Sequence, residues 1–428
     1  MNLPHSAIGS RPKRLGLLAY GFIGWGGGLD FLRGIATGLR HADPELELHV
    51  LVPMRGPLAT ARSLRDAVRG LLGRPTGAAH QPHLEHLERA LADTDAILHK
   101  IDLGPRAAAR AASRLQLDAL IPAFVPQASG APPWVGYIYD FQHKRLPQFF
   151  SSEECARRDI DFGRMLDSAE AVIVNARDVE HDIERYFPHR RARIFALPFS
   201  PAPGHDAFAV QPDDACRRHG IVGPYFIVCN QFWKHKDHGT AFKALAVLAK
   251  RHPELSLVCT GATSDYRFPG YFDELMKQAA HDGIDGRIHA LGLIPKPDQL
   301  ALIRGAVALI QPTLFEGGPG GGAVYDAIAL GQRAIASDIP VNTEIDDSLV
   351  SFFRTGNADS LADAMLAAWA DHAARECPPP PEELIARGVE RRRACGDVLL
   401  QAVAHAMAVG ASPSQARSAS PRQRIPQS

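Results

Sequence analysis

The segment QPTLFEGGPGGGAVYDAIALG occupies residues 311–331. The apolar run leading into it, AVALIQ (306–311), has the near-continuous hydrophobicity of a strand buried on both faces. The run after it, AVYDAIAL, has helical spacing, and Gly331 stands where a helix C-terminus favours a left-handed residue. Strand, glycine-packed turn and helix start together present backbone N–H groups and a positive helix end to an anion. Gly317, Gly318, Gly320, Gly321 and Gly322 let a phosphate approach the backbone without meeting a Cβ. Glu316 and Asp326 bracket the turn, and carboxylates accept hydrogen bonds from sugar hydroxyls. A phosphate joined to a polyol is the ligand these residues suit. The turn is not a Walker loop, since no Gly-Lys-Ser/Thr closes it. Nor is it GxGxxG with an acid about twenty residues on, because its acids sit at its own ends. The competing reading of a glycine run is a flexible turn that holds nothing.

Working outward, similar runs recur with room for a helix between them. In the first half they are LGLLAY (15–20), LHVLVP (48–53), AILHK (96–100), LDALIPAFV (117–125), VGYIYD (135–140) and AVIVN (171–175). In the second they are YFIVCN (225–230), LSLVCT (255–260), RIHALG (287–292), AVALIQ and RAIAS (333–337). GTAFKALAVLAKRH and PDQLALIRGAV read as intervening helices. Repeated βα units predict an α/β architecture of doubly wound parallel sheets. The proline-rich stretch LPFSPAPGHDAFAVQPDD (197–214) interrupts the pattern. It divides two Rossmann-like domains, 1–200 and 201–380, facing across a cleft at the carboxyl ends of their strands. CPPPPEELIARG marks a second break. A helical segment over 381–409 is expected to pack back toward the N-terminal domain, with a disordered Ser/Pro/Arg/Gln-rich tail over 410–428.

Composition narrows the class. The formal net charge is zero, which removes any overall electrostatic case for nucleic-acid binding. Six cysteines are scattered without CxxC or metal-ligand spacing, which predicts reduced thiols, a cytoplasmic location and no metal. No run approaches 18 consecutive apolar residues, and the N-terminus has no apolar signal-like core. Residues 1–150 are nevertheless basic. Arg62, Arg65 and Arg69 share one helical face, and Arg106, Arg110 and Arg114 are spaced by four. Such faces suit anionic lipid headgroups, although ordinary solvated surfaces look the same in sequence.

The stretch LIQPTLFEGGPGGGAVYDAIALGQRAIASDIPVNTEI resembles the donor-site signature of retaining family 4 glycosyltransferases (glycosyl transferases group 1), which have the GT-B fold. CNQFWKHKDHGTAFKALAVL (229–248), GGGLDFLRGIATGL (26–39) and GYIYDFQHKRLPQFF (136–150) extend the likeness across roughly residues 14–360. The resemblance implies a metal-independent enzyme with no cofactor. It would take a hexose from a nucleotide-diphosphate sugar and pass it to a glycan or lipid-linked acceptor, in surface polysaccharide biosynthesis.

Its site would place Glu316 on the sugar and Asp326 on the ribose, with Lys236 and the glycine turn on the diphosphate. His143 would touch the donor hexose, with His99 as the substitute candidate, and Gly27 and Gly28 would approach the diphosphate from the N-terminal domain. Two features depart from the family pattern. Glu316 and Asp326 stand ten apart where the family has eight, and Gln231 occupies the place of a family arginine. Lys234 or the extra glycine N–H groups are the candidate replacements for that charge. Two other readings remain: a non-catalytic sugar-nucleotide-binding subunit, to which Gln231 lends support, and a GT-B-type sugar-nucleotide epimerase.

Overall fold

The computed structural model describes residues 11–23, 27–54, 81–372 and 378–411. Seven of the apolar runs and edge segments pair into one sheet: β1 (Arg14–Leu18), β2 (Glu47–Met54), β3 (Ile97–Asp102), β4 (Ala119–Ala123), β5 (Trp134–Tyr137), β6 (Ala171–Val174) and β7 (Arg193–Ala196). Their order is β3-β2-β1-β4-β5-β6-β7, and every pair is parallel. A second sheet holds β8 (Tyr225–Cys229), β9 (Ser256–Thr260), β10 (Ile288–Gly292), β11 (Leu309–Gln311), β12 (Ala334–Ser337) and β13 (Val350–Phe353). Its order is β10-β9-β8-β11-β12-β13, again parallel throughout. Strand order reverses between β1 and β4 and between β8 and β11. In doubly wound sheets the crevice at that reversal, beyond the carboxyl ends of the strands, is where ligands bind.

Each sheet is buried because helices cover its faces. The second sheet separates two cores. One includes Phe242 and Leu245 of the helix His238–Ala249 and Leu361 of the helix Ala358–Ala370. The other includes Leu302 of the helix Lys296–Gly305 and Val324 of the helix Gly321–Ala329. The long helix Pro381–Ala411 joins the two halves. Near its start, Arg391 pairs with Asp347 of the second half at 2.8 Å. Farther along, Cys395, Leu399, Ala402, Val403 and Ala406 lie in one core with Leu32, Ile35 and Leu39 of the helix Gly28–Ala42. No described helix is long and apolar enough to cross a membrane.

The loop after β12 docks the two halves together. Ile339 and Val341 are buried in a core built mainly of first-half residues, among them Ile138, Phe141 and Val179. The Glu344 carboxylate then accepts hydrogen bonds from the backbone N–H groups of Arg177 (3.0 Å) and Asp178 (2.6 Å). These belong to the first turn of the helix Arg177–Tyr186, whose N-cap residue, Ala176, supplies no side-chain cap. A carboxylate there satisfies orphan donors and complements the helix dipole. Glu344→Ala is expected to cost about 1 kcal/mol, the usual value of a lost cap. Urea unfolding of the two proteins side by side measures it, and an unchanged midpoint would remove Glu344 from the docking account.

Candidate active site

The loops after β8 and β11 form the centre of the site. Leu314 N–H donates to the His235 carbonyl at 2.8 Å, and Thr313 Oγ1 lies 3.2 Å from the same oxygen, so the two loops are tied together. The tie brings Lys236 Nζ to 2.5 Å from Glu316 Oε1. Gln311 Nε2 donates to that carboxylate oxygen at 2.8 Å, and Asn230 Nδ2 donates to Gln311 Oε1 at 2.7 Å. Gln311 is fully buried and Asn230 nearly so. A chain of amides from the ends of two neighbouring strands therefore orients an acid–lysine pair. Gly321 has φ +58°, and a Cβ there would lie 3.0 Å from the Glu316 carboxyl carbon, so glycine is what admits Glu316.

The glycines divide their work in a way their spacing does not reveal. A Cβ on Gly317 would come within 2.6 Å of the Tyr139 carbonyl oxygen, and one on Gly318 within 3.1 Å of Asn175 Cβ. These two glycines let the turn touch the N-terminal domain. Gly320 N–H is given to Asn342 Oδ1 (2.8 Å), and Gly321 N–H to the Gly318 carbonyl (3.2 Å). Those two N–H groups are therefore engaged within the protein. At Gly322 an added Cβ would meet nothing within 4 Å, so that backbone faces open space at the start of the helix Gly321–Ala329.

Asp326, on that same helix, is held by Lys296 at 2.5 Å. Burial raises the pKa of Asp326, while Lys296 acts to lower it and Asp30 to raise it. For Lys296 burial acts to lower the pKa, but Asp326 and Asp30 outweigh it and hold the ammonium above the ordinary lysine value. Asp30 belongs to the first turn of the helix Gly28–Ala42, so this acid–lysine pair faces the other domain. Gly27 is the N-cap of that helix and Gly28 is buried within it; a Cβ on Gly27 would meet nothing within 4 Å. Gly26 and Trp25 lie outside the described residues, as do Arg62, Arg65 and Arg69.

On the N-terminal side, His143 is buried against Phe141, Phe150 and Phe162, and its Nε2 lies 3.0 Å from Asp159 Oδ1. Desolvation lowers its pKa more than Asp159 raises it. The neutral tautomer that donates Nε2–H to Asp159 leaves Nδ1 as an acceptor, and Nδ1 is buried with no hydrogen-bond partner. None of these interactions runs to Glu316 or Lys236. The neighbour of Glu316 from this loop is Asp140, whose pKa is raised first by burial and further by Glu316. His99 is excluded from the cleft. It sits on outer strand β3, its Nε2 2.9 Å from Nδ1 of His49 on β2, with Arg114 and Arg14 nearby.

Gln231 contributes a backbone carbonyl, which accepts from Trp233 N–H at 2.7 Å. Lys234 is turned away, its Nζ 4.6 Å from the Phe268 ring centroid. The loop carrying Phe268 crosses to the N-terminal domain, where Phe268 meets Phe149 edge-on at 5.4 Å and Arg267 lies 4.4 Å over the Phe150 ring. His235 and His238 flank Lys236 but are core residues. His238 is fully buried and stacked on Phe232 at 4.0 Å, and burial pushes both imidazoles down to about 3. Each binds a proton more readily unfolded than folded, so unfolding takes up protons below about pH 6.5. Stability is expected to fall as pH drops from there toward 3. His238→Phe should flatten that dependence, which urea midpoints measured between pH 7 and 4 would show.

Gln311, Asn230, Lys296 and Asn342 are site residues that sequence reasoning did not select, whereas Asp140 follows the strand run VGYIYD that the sequence places at the cleft. The available signal was a polar residue ending a buried strand, as in ALIQ and FIVCN. A buried polar group needs a partner, and here Asn230 with Gln311, Lys296 with Asp326 and Asn342 with Gly320 each find one in a distant segment.

Two parallel-sheet Rossmann-like domains, meeting at the carboxyl ends of their strands, define the GT-B class. Residues 220–378 match the family model described as glycosyl transferases group 1, and this domain makes the chain an enzyme of the glycosyltransferase type. Its fold resembles that of Anabaena HepE, solved in complex with UDP and glucose, at 13% identity and a TM-score of 0.56 over 93% of this chain and 98% of that one. Sucrose-phosphate synthase from Thermosynechococcus elongatus aligns at 16% identity and 0.56 over 91% and 97%. WaaG, a glycosyltransferase involved in lipopolysaccharide biosynthesis, aligns at 13% and 0.52 over 90% and 95%. At such identities the likeness establishes a shared fold. None of the curated proteins matches the chain.

Proposed function

We propose that the protein is a retaining, family 4 glycosyltransferase. It would move a hexose from a nucleotide-diphosphate sugar to a glycan or lipid-linked acceptor, in the cytoplasm and without a metal, for surface polysaccharide synthesis. The observation that carries the reading is the Glu316–Lys236 pair, oriented by Gln311 at the strand-order reversal between β8 and β11.

In this reading Lys236 places its charge on the departing diphosphate, where negative charge develops. Glu316 accepts hydrogen bonds from hexose hydroxyls, and Asp326 exchanges its contact with Lys296 for the ribose hydroxyls. The acceptor attacks the face that the diphosphate leaves, and a phosphate oxygen takes the acceptor's proton, so no side chain is needed as general base. His143 Nδ1 has a free lone pair, but it is buried against Phe141, Phe150 and Phe162 and would accept from a hexose hydroxyl only after that aromatic cover opens. Contact between the domains through Gly317 and Gly318 excludes water from the donor. UDP bound to HepE makes uridine the first base to examine.

Melting curves with UDP-, GDP- and ADP-sugars test the proposal, since a ligand selective for the native state raises Tm. A rise with one of them, together with release of the nucleoside diphosphate on incubation, is expected. Gln231, standing in place of a cation, favours a second reading: a sugar-nucleotide-binding subunit without activity. A Tm rise with neither hydrolysis nor transfer for any donor, and unchanged binding in Glu316→Ala, would establish that reading instead.

A further inference from the structure

Gln231 leaves the loop after β8 one cation short, and Lys234 is turned onto the Phe268 ring. The neighbouring loop, after β9, holds another. Two ties fix these loops together. Phe232 N–H donates to the Ala262 carbonyl at 2.9 Å, and the buried Asp265 carboxylate accepts from Lys234 N–H at 3.1 Å. Gly261 makes the approach possible: its φ is +128°, and a Cβ there would lie 2.3 Å from the Asn230 carbonyl oxygen. The second oxygen of Asp265 accepts from Arg267 N–H at 2.9 Å. One carboxylate thus fastens the backbone of Arg267 to the segment that bears Lys236.

The Arg267 side chain is half-buried. Among the described residues its guanidinium makes a single hydrogen bond, from Nε to Tyr266 Oη at 2.8 Å, and no ion pair. Its two terminal nitrogens remain, and they form the planar fork that takes two oxygens of one phosphate. The first domain sets where that fork lies. The guanidinium is 4.4 Å over the Phe150 ring, and Arg158 is 4.6 Å over the same ring. Arg158 in turn comes within 3.8 Å of Asp140, and a Cβ on Gly317 would lie 2.9 Å from Asp140 Cβ. Phe150 therefore holds Arg267 at the rim of the cleft, where the glycine turn meets the first domain. The charge is felt on both sides of that cleft. Burial raises the Asp140 pKa, and Arg158 and Arg267 act against it. Burial lowers the His235 pKa, and Lys236 and Arg267 lower it further.

We propose that Arg267 is the second cation on the donor diphosphate in this chain, supplied by the loop after β9 in place of a charge at residue 231. The inference rests on the glycosyltransferase reading above and names the group that makes good the neutral Gln231. Lys236 gives the departing phosphate a point charge, and Arg267 adds a two-pronged contact that a lysine does not make. Arg267 belongs to the second domain and Phe150 to the first, so apposition of the domains is what positions the guanidinium.

Calorimetric titration of UDP, GDP and ADP into the full chain and into Arg267→Gln, each at low and high KCl, tests it. At least one diphosphate is expected to bind the wild type. At low salt Arg267→Gln should raise its Kd by about 10–100-fold, the usual loss for a hydrogen bond to a charged group. Salt screens charge, so the difference between the two proteins should narrow at high KCl. The ligand-free Tm of the variant should match wild type, since Arg267 sits on a loop and pairs with no described carboxylate. Equal Kd values at low salt overturn the proposal. So does a difference that salt leaves unchanged, which would make Arg267 a packing partner of Phe150 and nothing more. A wild type that binds none of the three defeats the donor-site reading itself. A wild type that binds one of them no better than Arg267→Gln does leaves that reading standing and removes Arg267 from it.

Discussion

Lys236→Met is expected to reduce sugar transfer by about 10²–10³-fold, the range found when one group that stabilises developing negative charge is removed. Lys236 is one of the described cations that reach the loop beyond β11, and its Nζ sits 2.5 Å from Glu316. Methionine keeps the length of the stem and discards the charge. Glu316 would then lose its counter-ion in a largely buried position and keep only Gln311 as partner. The partner variant Glu316→Gln keeps size and hydrogen bonding but leaves Lys236 without a carboxylate, and a fall of similar order is expected. Because the two act as a pair, the double variant should lose far less than the product of the single losses. Initial rates of nucleoside diphosphate release, measured for all four proteins with the donor identified by melting, provide the cycle. Wild-type rates in either single variant would remove the pair from the chemistry.

Gly396→Leu carries the largest expected effect on stability. A Cβ at position 396 would sit 1.9 Å from the Gly38 carbonyl oxygen and 2.7 Å from Ala42 Cβ. Both obstacles belong to a packed helix, so neither can rotate aside. The C-terminal helix would have to lift from the helix Gly28–Ala42, withdrawing Leu399, Val403 and Ala406 from the first-domain core. Overpacking alone costs about 1–3 kcal/mol, and exposing a buried leucine or valine adds about 1.5–3 kcal/mol each. Chemical denaturation of Gly396→Leu should show a loss of several kcal/mol, whereas Val409→Ala, at a partly exposed position of the same helix, should be close to wild type. A midpoint for Gly396→Leu within error of wild type would refute the close crossing.

Eleven strands could be read from apolar runs because a parallel strand covered on both faces must be apolar nearly throughout. The two that were missed, RIFA at β7 and VSFF at β13, are four-residue segments at the outer edges of their sheets. An edge strand has only one neighbour, and Ser351 and Phe352 are exposed, so no continuous hydrophobic run is required there. The same logic explains the glycine turn. Its composition showed that the backbone is approached closely, since glycine is needed wherever a Cβ would collide. What approaches was not written locally: Tyr139 and Asn175 for Gly317 and Gly318, and the Glu316 carboxylate for Gly321.

Periodicity and glycine placement are properties of adjacent residues, and they sufficed for the fold class, the two parallel-sheet domains and the turn bracketed by Glu316 and Asp326, whereas Lys236 was named through the family resemblance. Partner choice is a property of segments far apart in the chain. Asn230 finds Gln311 across 81 positions, Lys296 finds Asp326 across 30, and Glu344 caps a helix more than 160 positions away. Each pairing depends on which strand ends the parallel order places side by side, and only the folded chain decides that.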